Sequence, residues 1–258
     1  MDGNIVTSKL YLDDSYLFYL VGAKLIAVED YPKEPDFFAL IFDKTIFHPQ
    51  GGGQPSDQGT IENTSVKLEL NTIGFDRERE VVLHKVSKEE YSKLGIQIGN
   101  EFDMKINEEK RRLYARLHSA GHLLDISVNK LGLNLVPGKG YHFLEGPYVE
   151  YTGNIDKNSI PTLMENIEKI SNQIISQTSE EDSTISKFYD YEQGKKEFGT
   201  VPSYLLTNKP FRWVKLLKDD LGCPCGGTHV KHVNDIKSMK ISKITNKGKV
   251  VRISYNVI

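Results

Sequence analysis

Two pairs of side chains that commonly ligate metals, about one hundred residues apart, constrain the fold of this 258-residue chain more than any other sequence feature. The first pair is His118 and His122, whose spacing of four would place both imidazoles on one face of a helix. The second pair is Cys225 and His229, separated by residues that include Gly226-Gly227, which permit a tight turn. A thiolate combined with imidazoles is the ligand set that Zn²⁺ prefers. A single zinc site would therefore require the helix and the late turn to meet.

Each pair also has a plainer interpretation. Histidines at this spacing are often incidental on a helix, and Cys225 could be a buried free cysteine beside a histidine that the protein itself hydrogen-bonds. The two pairs taken together favour the metal site. Ser119 argues against zinc protease chemistry, because the HExxH motif requires a glutamate in that place as its general base.

Composition excludes several other classes of protein. Cys223 and Cys225 are the only cysteines, and a bridge between them would close a very small, strained ring, so a disulfide scaffold is excluded. The chain carries 33 basic and 35 acidic residues, so any contact with nucleic acid must come from a local patch. No apolar run approaches the roughly 20 residues that cross a bilayer, and no secretory signal precedes the first strands. We therefore expect a cytoplasmic protein that does not associate with membranes.

Short runs of β-branched and aromatic residues occupy the first hundred positions and predict strands. These runs are residues 17–21, 25–28, 37–42, 65–70 and 81–84. The run at 37–42 is apolar on both faces, which is typical of a strand in a packed barrel or sandwich. Regular short strands punctuated by Gly and Pro predict a small N-terminal β-barrel.

The pattern changes to helical spacing after a break near residues 100–107. Residues 108–132 predict a helix that Gly132 can end, and a second helix is predicted near 160–179. Strands return at 184–188 and 211–216, and the chain ends in a hairpin over 236–245 and 251–257, while the acidic segment 179–182 is expected to be a solvated loop. The sequence thus predicts an α+β chain, with an N-terminal β-barrel domain over 1–105 and an α+β zinc-containing domain over 106–258.

A glycine-rich segment follows one predicted strand. Gly51, Gly52 and Gly53 are followed at once by Gln54-Pro55, which argues against a simple flexible hairpin loop. Successive glycines leave backbone N–H groups that can face an anion. The spacing matches neither a phosphate-binding GK[ST] loop nor a dinucleotide fingerprint.

Four segments with chemistry-bearing residues follow one another in the chain: FHPQGGGQPSDQGTI, RLHSAGHLLD, PGKGYHF and CPCGGTHV. From about residue 35 to the C-terminus, the chain resembles the AlaX-type alanyl-tRNA editing proteins, freestanding relatives of the editing domain of alanyl-tRNA synthetase. Paired HxxxH and CxxxH motifs alone would equally suit the editing domain of threonyl-tRNA synthetases. The GGGQP loop points to the alanyl family, and to its form with an N-terminal β-barrel.

The resemblance implies residue roles and an activity. The family's zinc ligands fall on His118, His122, Cys225 and His229, and its glycine-rich substrate-binding motif on Gly51, Gly52, Gly53 and Gln54. The implied activity is hydrolysis of the ester that joins a wrong amino acid, serine or in some members glycine, to tRNA(Ala). Two positions depart from the usual pattern: His48-Pro49-Gln50 stands before the glycines, and Gly121 stands where the synthetase domain often has threonine. The preference between serine and glycine is therefore left open.

Further residues are candidates for contact with the substrate. Ser119 and Thr228 adjoin the metal ligands and could test for the serine hydroxyl, although such residues are more often internal hydrogen-bonders. Lys139 and His142 lie in what the sequence suggests is a loop, within reach of a tRNA 3′ end. Basic residues crowd the start of the 108–132 helix, where the helix dipole disfavours them, which suggests a phosphate-binding patch. These basic residues are Lys110, Arg111, Arg112 and Arg116.

The sequence thus favours a zinc-dependent trans-editing hydrolase that deacylates mischarged tRNA(Ala). One alternative is a non-catalytic protein in which zinc stabilises a tRNA- or protein-binding module. Another is a zinc-dependent hydrolase of small esters without an RNA substrate. The general base and the oligomeric state are not encoded in any motif that we can identify.

Overall fold

The computed structural model of the chain describes residues 5–179 and 182–258. The chain divides into two compact units, Met1–Leu113 and Tyr114–Ile258. Helices and several sheets are both present, so the α+β class is confirmed. None of the helices in the described ranges is long and apolar enough to cross a membrane. Two members of the acidic segment 179–182, Glu180 and Glu181, lie outside the described residues.

The first unit is built mainly from strands. They are β1 (Ser8–Lys9), β2 (Tyr19–Asp30), β3 (Phe37–Phe42), β4 (Lys44–Thr45), β5 (Gly59–Glu62), β6 (Lys67–Leu70), β7 (Ile73–Asp76), β8 (Val81–Ser87) and β9 (Glu101–Ile106). Helix α1 (Lys88–Leu94) follows β8, and a 3-10 helix covers Leu10–Leu12. Seven strands form an antiparallel sheet in the order β6-β5-β9-β2-β3-β8-β7, and β1 pairs with β4 in parallel.

The predicted closed barrel is wrong. Within the described residues, β6 and β7 are the two edges of the seven-stranded sheet, and no hydrogen-bond ladder joins them. The second edge of β7 is partly occupied instead, because the backbone N–H of Gln50 donates to the carbonyl of Ile73 at 3.0 Å. In a closed barrel, the Ile73 carbonyl would have to face another strand of the sheet. The sheet is therefore open, with the segment before the glycine-rich turn lying against β7.

Alternation along β3 explains its apolar sequence. Leu40 and Phe42 belong to one hydrophobic cluster, whereas Ala39 and Ile41 belong to a second. Since neighbouring side chains on a strand point to opposite faces, both faces of β3 are buried, as its composition predicts. The runs at 17–21 and 25–28 are not two strands: β2 continues through Gly22, at φ 63°, with a register shift against β9.

A buried ion pair connects the glycine-rich segment to the start of the next helix, α2 (Glu108–Lys130). The guanidinium of Arg111 donates to both carboxylate oxygens of Asp57, with Nε at 2.9 and 3.1 Å. It also donates to the carbonyls of Ser15 and Ile46, at 2.8 and 2.6 Å. Both charged side chains are almost completely buried. The bidentate geometry and the two carbonyls satisfy the guanidinium inside the first unit.

The second unit contains the rest of α2 and two sheets. Its strands are β10 (Val136–Tyr141), β11 (Tyr148–Thr152), β12 (Ile185–Tyr189), β13 (Phe211–Lys215), β14 (Cys223–Pro224), β15 (Met239–Lys247) and β16 (Val250–Val257). Its other helices are α3 (Ile160–Gln177) and α4 (Tyr191–Phe198), with 3-10 helices at Lys157–Ser159 and Val233–Ile236. The sheets run β10-β11-β16-β15 and β12-β13-β14, all antiparallel.

The terminal hairpin and both long helices agree with the sequence prediction. Helix α2 ends before Gly132, which adopts φ 66°, and β15 and β16 form the predicted hairpin. Helix α3 is tied to β15 by Asn172, whose side chain donates to the carbonyl of Met239 at 2.7 Å and accepts from its N–H at 3.0 Å. The segment predicted as a break at 100–107 contains β9, and the two compact units divide between Leu113 and Tyr114, within α2.

The buried ion pair yields a stability prediction. We expect Arg111→Met to lower the free energy of unfolding by about 3–5 kcal/mol, because it leaves the Asp57 carboxylate buried without its partner. Denaturant unfolding measures this loss. The matched control is Arg79→Met, because Arg79 binds Glu29 and Asp76 on the surface. That exposed network should contribute about 1 kcal/mol or less. Equal effects of the two substitutions would contradict the assignment.

A second prediction concerns acid stability. His84 is fully buried, with its ring nitrogens 3.0 Å from the Leu40 carbonyl and 2.8 Å from Thr45 Oγ1, and burial lowers its pKa to about 4. An unfolded histidine titrates near pH 6.5, so the unfolded chain binds a proton that folded His84 refuses. Neutral His84 therefore makes its full contribution to the free energy of unfolding above about pH 6.5. That free energy falls by up to about 3 kcal/mol as the pH drops toward 4. Unfolding curves of His84→Gln across this range should fall less steeply than those of the wild type; parallel curves would contradict the assignment.

Candidate metal centre

Helix α2 and the turn after β14 bring four ligand side chains together in the second unit. His118 and His122 lie one helical turn apart on α2, and Cys225 and His229 lie in the turn. One ligand atom from each of these residues falls within 4.8 Å of the other three. His118 and His229 are buried, and the other two are partly buried. The two pairs identified in the sequence therefore form one cluster.

The spacing of the donor atoms fits a tetrahedral metal ion. Cys225 Sγ lies 3.4 Å from His118 Nε2 and 3.3 Å from His229 Nε2. In a tetrahedral zinc site, sulfur and nitrogen ligands are about 3.5 Å apart, given the usual bond lengths. The rings of His118 and His122 have centroids 5.2 Å apart, and those of His122 and His229 4.6 Å. Three imidazoles and one thiol thus converge as the ligand set of Zn²⁺ requires.

Arg212 on β13 shapes the turn that carries Cys225. The N–H of Cys225 donates to the backbone carbonyl of Arg212 at 3.0 Å. In return, the guanidinium donates to the carbonyls of Cys225 and Gly227, at 3.1 and 2.8 Å. A third contact, to Ser186 Oγ at 2.6 Å, ties the side chain to β12. Arg212 therefore holds both ends of the tight turn while remaining 7% exposed.

The protonation of the cluster also suits a cation. Burial, together with the charge of Arg212, lowers the pKa of His122 to about 4, so its imidazole is neutral and can donate a lone pair. Burial raises the pKa of the Cys225 thiol, although the Gly227 N–H, 3.4 Å from Sγ, and Arg212 oppose this rise. A metal ion would supply the missing stabilisation of the thiolate.

Ser119 contacts one of the candidate metal-ligating histidines. Its Oγ lies 3.1 Å from His229 Nδ1 and accepts a hydrogen bond from the N–H of Val230, also at 3.1 Å. With Nδ1 facing Ser119, the other ring nitrogen of His229 faces Cys225. Ser119 and Thr228 are both fully buried. The hydroxyl of Ser119 is thus engaged inside the protein, which argues against its predicted contact with the serine of a substrate.

Two acidic or thiol groups adjoin the cluster. Cys223 Sγ lies 3.5 Å from His122 Nδ1. Burial raises the pKa of the Cys223 thiol, so it stays protonated. Asp125, one turn after His122, accepts a hydrogen bond from Tyr151 Oη at 2.6 Å, and burial raises its pKa to about 7. These groups complete the polar surroundings of the ligand set.

The glycine-rich segment forms a tight turn in the first unit. The N–H of Gln54 donates to the carbonyl of Gly51 at 2.9 Å, and Gly52 and Gly53 adopt φ of 57° and 77°. Two successive positive φ values with this hydrogen bond define a type I′ turn, which only glycine-like residues adopt without strain. Gly52 is exposed, whereas Gln54 is fully buried. The turn therefore offers its glycine backbone, not the Gln54 side chain, to its surroundings.

The predicted basic patch is not a uniform surface. Arg111 is completely buried in its ion pair, so its assignment to tRNA phosphates is wrong. The guanidinium of Arg112 is half-exposed but bonds Glu108 and lies 4.4 Å from the Tyr16 ring. Arg116 donates to two backbone carbonyls of the second unit, those of Ile236 and Ile258. Lys110 and Lys139 are exposed. Internal hydrogen bonding, not phosphate binding, explains the position of Arg111. It also uses donors of the Arg116 guanidinium.

Sequence reasoning missed several residues around the centre. Arg212 and Tyr255 lie on predicted strands, and no local motif separates them from ordinary strand residues. His142 was placed in a loop, whereas it follows β10 and is buried against His118. The stretch PGKGYHF reads as a loop because its glycines suggest a turn. Its pairing with β11, through a bulge between Pro137 and Gly140, is a tertiary property.

The contact between Ser119 and His229 predicts a change in metal affinity. We expect Ser119→Ala to weaken zinc binding by about 10–100-fold, because His229 loses the partner that fixes its ring. Competition with a chromophoric chelator measures this affinity. Ser127→Ala is the matched control, since Ser127 is also buried on α2 but bonds Leu123 and Ser171. A comparable loss of zinc in both variants would contradict the role of Ser119.

Comparison with known proteins connects this geometry to a family. A family model described as threonyl and alanyl tRNA synthetase second additional domain matches residues 214–253. Alanyl-tRNA editing protein AlaX-M of Pyrococcus horikoshii is 30% identical, with 95% of this chain and 94% of the relative covered. AlaX-M of Methanosarcina barkeri is 28% identical over 84% of this chain and 87% of the relative. An alanine–tRNA ligase of Methanobrevibacter smithii is 32% identical over 79% of this chain but 22% of its own length. With the ligand cluster and an identity that extends over almost the whole chain, the protein belongs to the AlaX-type alanyl-tRNA editing family.

Proposed function

We propose that this protein is a zinc-dependent trans-editing hydrolase that deacylates tRNA(Ala) carrying serine, and also glycine. The proposal rests on one observation above the others: four zinc-type donor atoms lie within 4.8 Å of one another in a chain of the AlaX type. The names of the relatives support an alanyl-tRNA substrate. We assign the editing centre to the domain 106–258 and a substrate-binding role to the domain 1–105, and we expect both to act in the cytoplasm, where tRNA is aminoacylated.

The chemistry required of the site is modest. An aminoacyl ester is already activated, so the protein must hold a small amino acid and the terminal adenosine while water reaches the carbonyl. A bound Zn²⁺, which His118, His122, Cys225 and His229 would hold, would supply a local positive charge at the site. In this proposal, Arg212 keeps the Cys225 turn in place and Ser119 keeps His229 in its ligating orientation.

Substrate contacts are proposed for groups that the fold leaves available. The backbone of Gly51, Gly52 and Gly53 offers N–H donors to a polar part of the substrate. Thr228 would shape the candidate site of the second unit from within, and Gln54 would support the glycine-rich turn of the first unit, because both side chains are buried. Lys139, Lys110 and Arg112 are the exposed cations proposed to meet tRNA phosphates.

Fidelity explains why such a site is useful. A synthetase that selects alanine distinguishes similar side chains with only about 1–3 kcal/mol, and a second site that hydrolyses the wrong product restores accuracy. The editing site must then reject alanine itself. A polar group that recognises the serine hydroxyl gives this rejection, because alanine leaves that group without a partner.

Purified protein added to Ser-, Gly- and Ala-tRNA(Ala) tests the proposal. We expect rapid release of serine, slower release of glycine and protection of alanine. Removal of zinc with a chelator should abolish the activity, and added zinc should restore it, because the proposal makes the bound cation a part of the editing site. The variant with both His118→Ala and His122→Ala should lose zinc and activity together.

Each other outcome has a defined meaning. Binding of tRNA(Ala) without turnover would replace the proposal by the non-catalytic zinc-stabilised binding module. Hydrolysis of small esters without either tRNA binding or deacylation would indicate an enzyme with no RNA substrate. Full activity in the chelated protein would remove zinc from the mechanism. Unfolding in urea, measured on the histidine variant, separates a loss of fold from a loss of the site.

A further inference from the structure

His142 lies directly against the ligand cluster without being one of the four ligands. It follows β10, and its ring stacks on that of His118 with centroids 4.3 Å apart and planes inclined by 22°. The residue is 4% exposed. A polar ring at this position forms part of the wall around the metal centre.

Hydrogen bonding fixes the tautomer of His142. Tyr255 Oη donates its single proton to the backbone carbonyl of Leu117 at 2.8 Å. Burial raises the pKa of the Tyr255 phenol well above its ordinary value, so that proton stays in place. Tyr255 Oη must therefore accept the hydrogen bond from His142 Nδ1, 2.7 Å away. In the neutral ring, Nε2 of His142 is then the acceptor nitrogen, and no hydrogen bond to it is found within residues 5–179 and 182–258.

Two glycines make room for this ring. A Cβ on Gly121 would lie 2.4 Å from His142 Cε1, and one on Gly140 would lie 2.5 Å from Nε2. Neither distance is compatible with a side chain unless the ring moves away. The glycine at position 121 is thus explained by His142, whose ring fills the volume that a threonine would need. Gly140 keeps the immediate approach to Nε2 free of a side chain.

We propose that His142 is a specificity-determining residue whose Nε2 accepts a hydrogen bond from the side-chain hydroxyl of the serine in Ser-tRNA(Ala). The proposal rests on the proposed function and names the group that performs its polar test. Ser119, the hydroxyl that the sequence suggested for this test, is occupied by His229 and Val230. His142, in contrast, uses Nδ1 for its hydrogen bond within the described residues. Its Nε2 remains an acceptor beside the candidate metal centre.

The variants His142→Phe and Tyr255→Phe test this role. Phe at 142 keeps an aromatic ring against His118 but has no acceptor, and Phe at 255 removes the partner that fixes the tautomer. Deacylation of Ser-tRNA(Ala) and Ala-tRNA(Ala) is measured under enzyme excess, together with zinc content. The two aminoacyl groups differ only in the hydroxyl. We expect His142→Phe to lower the rate for serine about tenfold or more, with the alanine rate changed less than about threefold.

Tyr255→Phe should produce a smaller loss of the same kind, and it keeps the test valid if His142→Phe does not fold. Tyr151→Phe is its control, because Tyr151 is buried on the same sheet but bonds Asp125. The control should leave the ratio of serine to alanine rates unchanged. Zinc content should stay at the wild-type level in all three variants.

The contrary results are distinct. Parallel loss of the serine and alanine rates with zinc retained would mean that His142 binds a part common to both substrates, such as the amino group, and would overturn the specificity role. Loss of zinc in both His142→Phe and Tyr255→Phe would reduce His142 to a support for His118 and overturn it too. A wild-type protein that deacylates neither Ser- nor Gly-tRNA(Ala) would overturn the proposed function, and this inference with it.

Discussion

The convergence of α2 with the turn that begins at Cys225 is the contact on which the rest of the second unit depends. Three imidazoles and a thiol occupy a largely buried space, where unpaired polar groups are costly. Their arrangement is supported by groups from separate elements: Arg212 on β13 holds the turn, and Tyr255 on β16 reaches back to α2. The sheets and the helix are therefore fixed by the same interactions that form the candidate metal centre.

Arginine performs one recurring structural task in this chain. Arg111 binds the carbonyls of Ser15 and Ile46, and Arg116 those of Ile236 and Ile258, so each of these two joins two backbone segments. Arg212 binds the carbonyls of Cys225 and Gly227 and so holds a single turn. A guanidinium has five donors in a planar fork and never loses its charge, which suits it to this role better than lysine. Counting such residues as a tRNA-binding patch overlooks this internal use of their donors.

Family membership and the chain's own geometry answer different questions. The relatives support the class of substrate, and the convergence of the two ligand pairs in this chain supports a single metal centre. Neither explains why Gly121 stands where related synthetase domains often have threonine. The His142 ring packed on that glycine gives a physical reason. The proposed selectivity residue and Cys225 are separated along the chain by four strands and two α-helices.

The sequence by itself determined the two long helices, the terminal hairpin, both faces of β3 and the four candidate ligand residues, because periodicity and short motif spacing are local properties. The tertiary structure alone decided that the first sheet stays open, since the edge of β7 is met by Gln50 from a distant segment. It also decided the internal contacts of Arg111 and Ser119. Arg111 binds Asp57, 54 residues away, and Ser119 contacts His229, 110 residues away. Long-range hydrogen bonding and burial leave no periodic trace in a sequence, and so these roles became visible only in the folded chain.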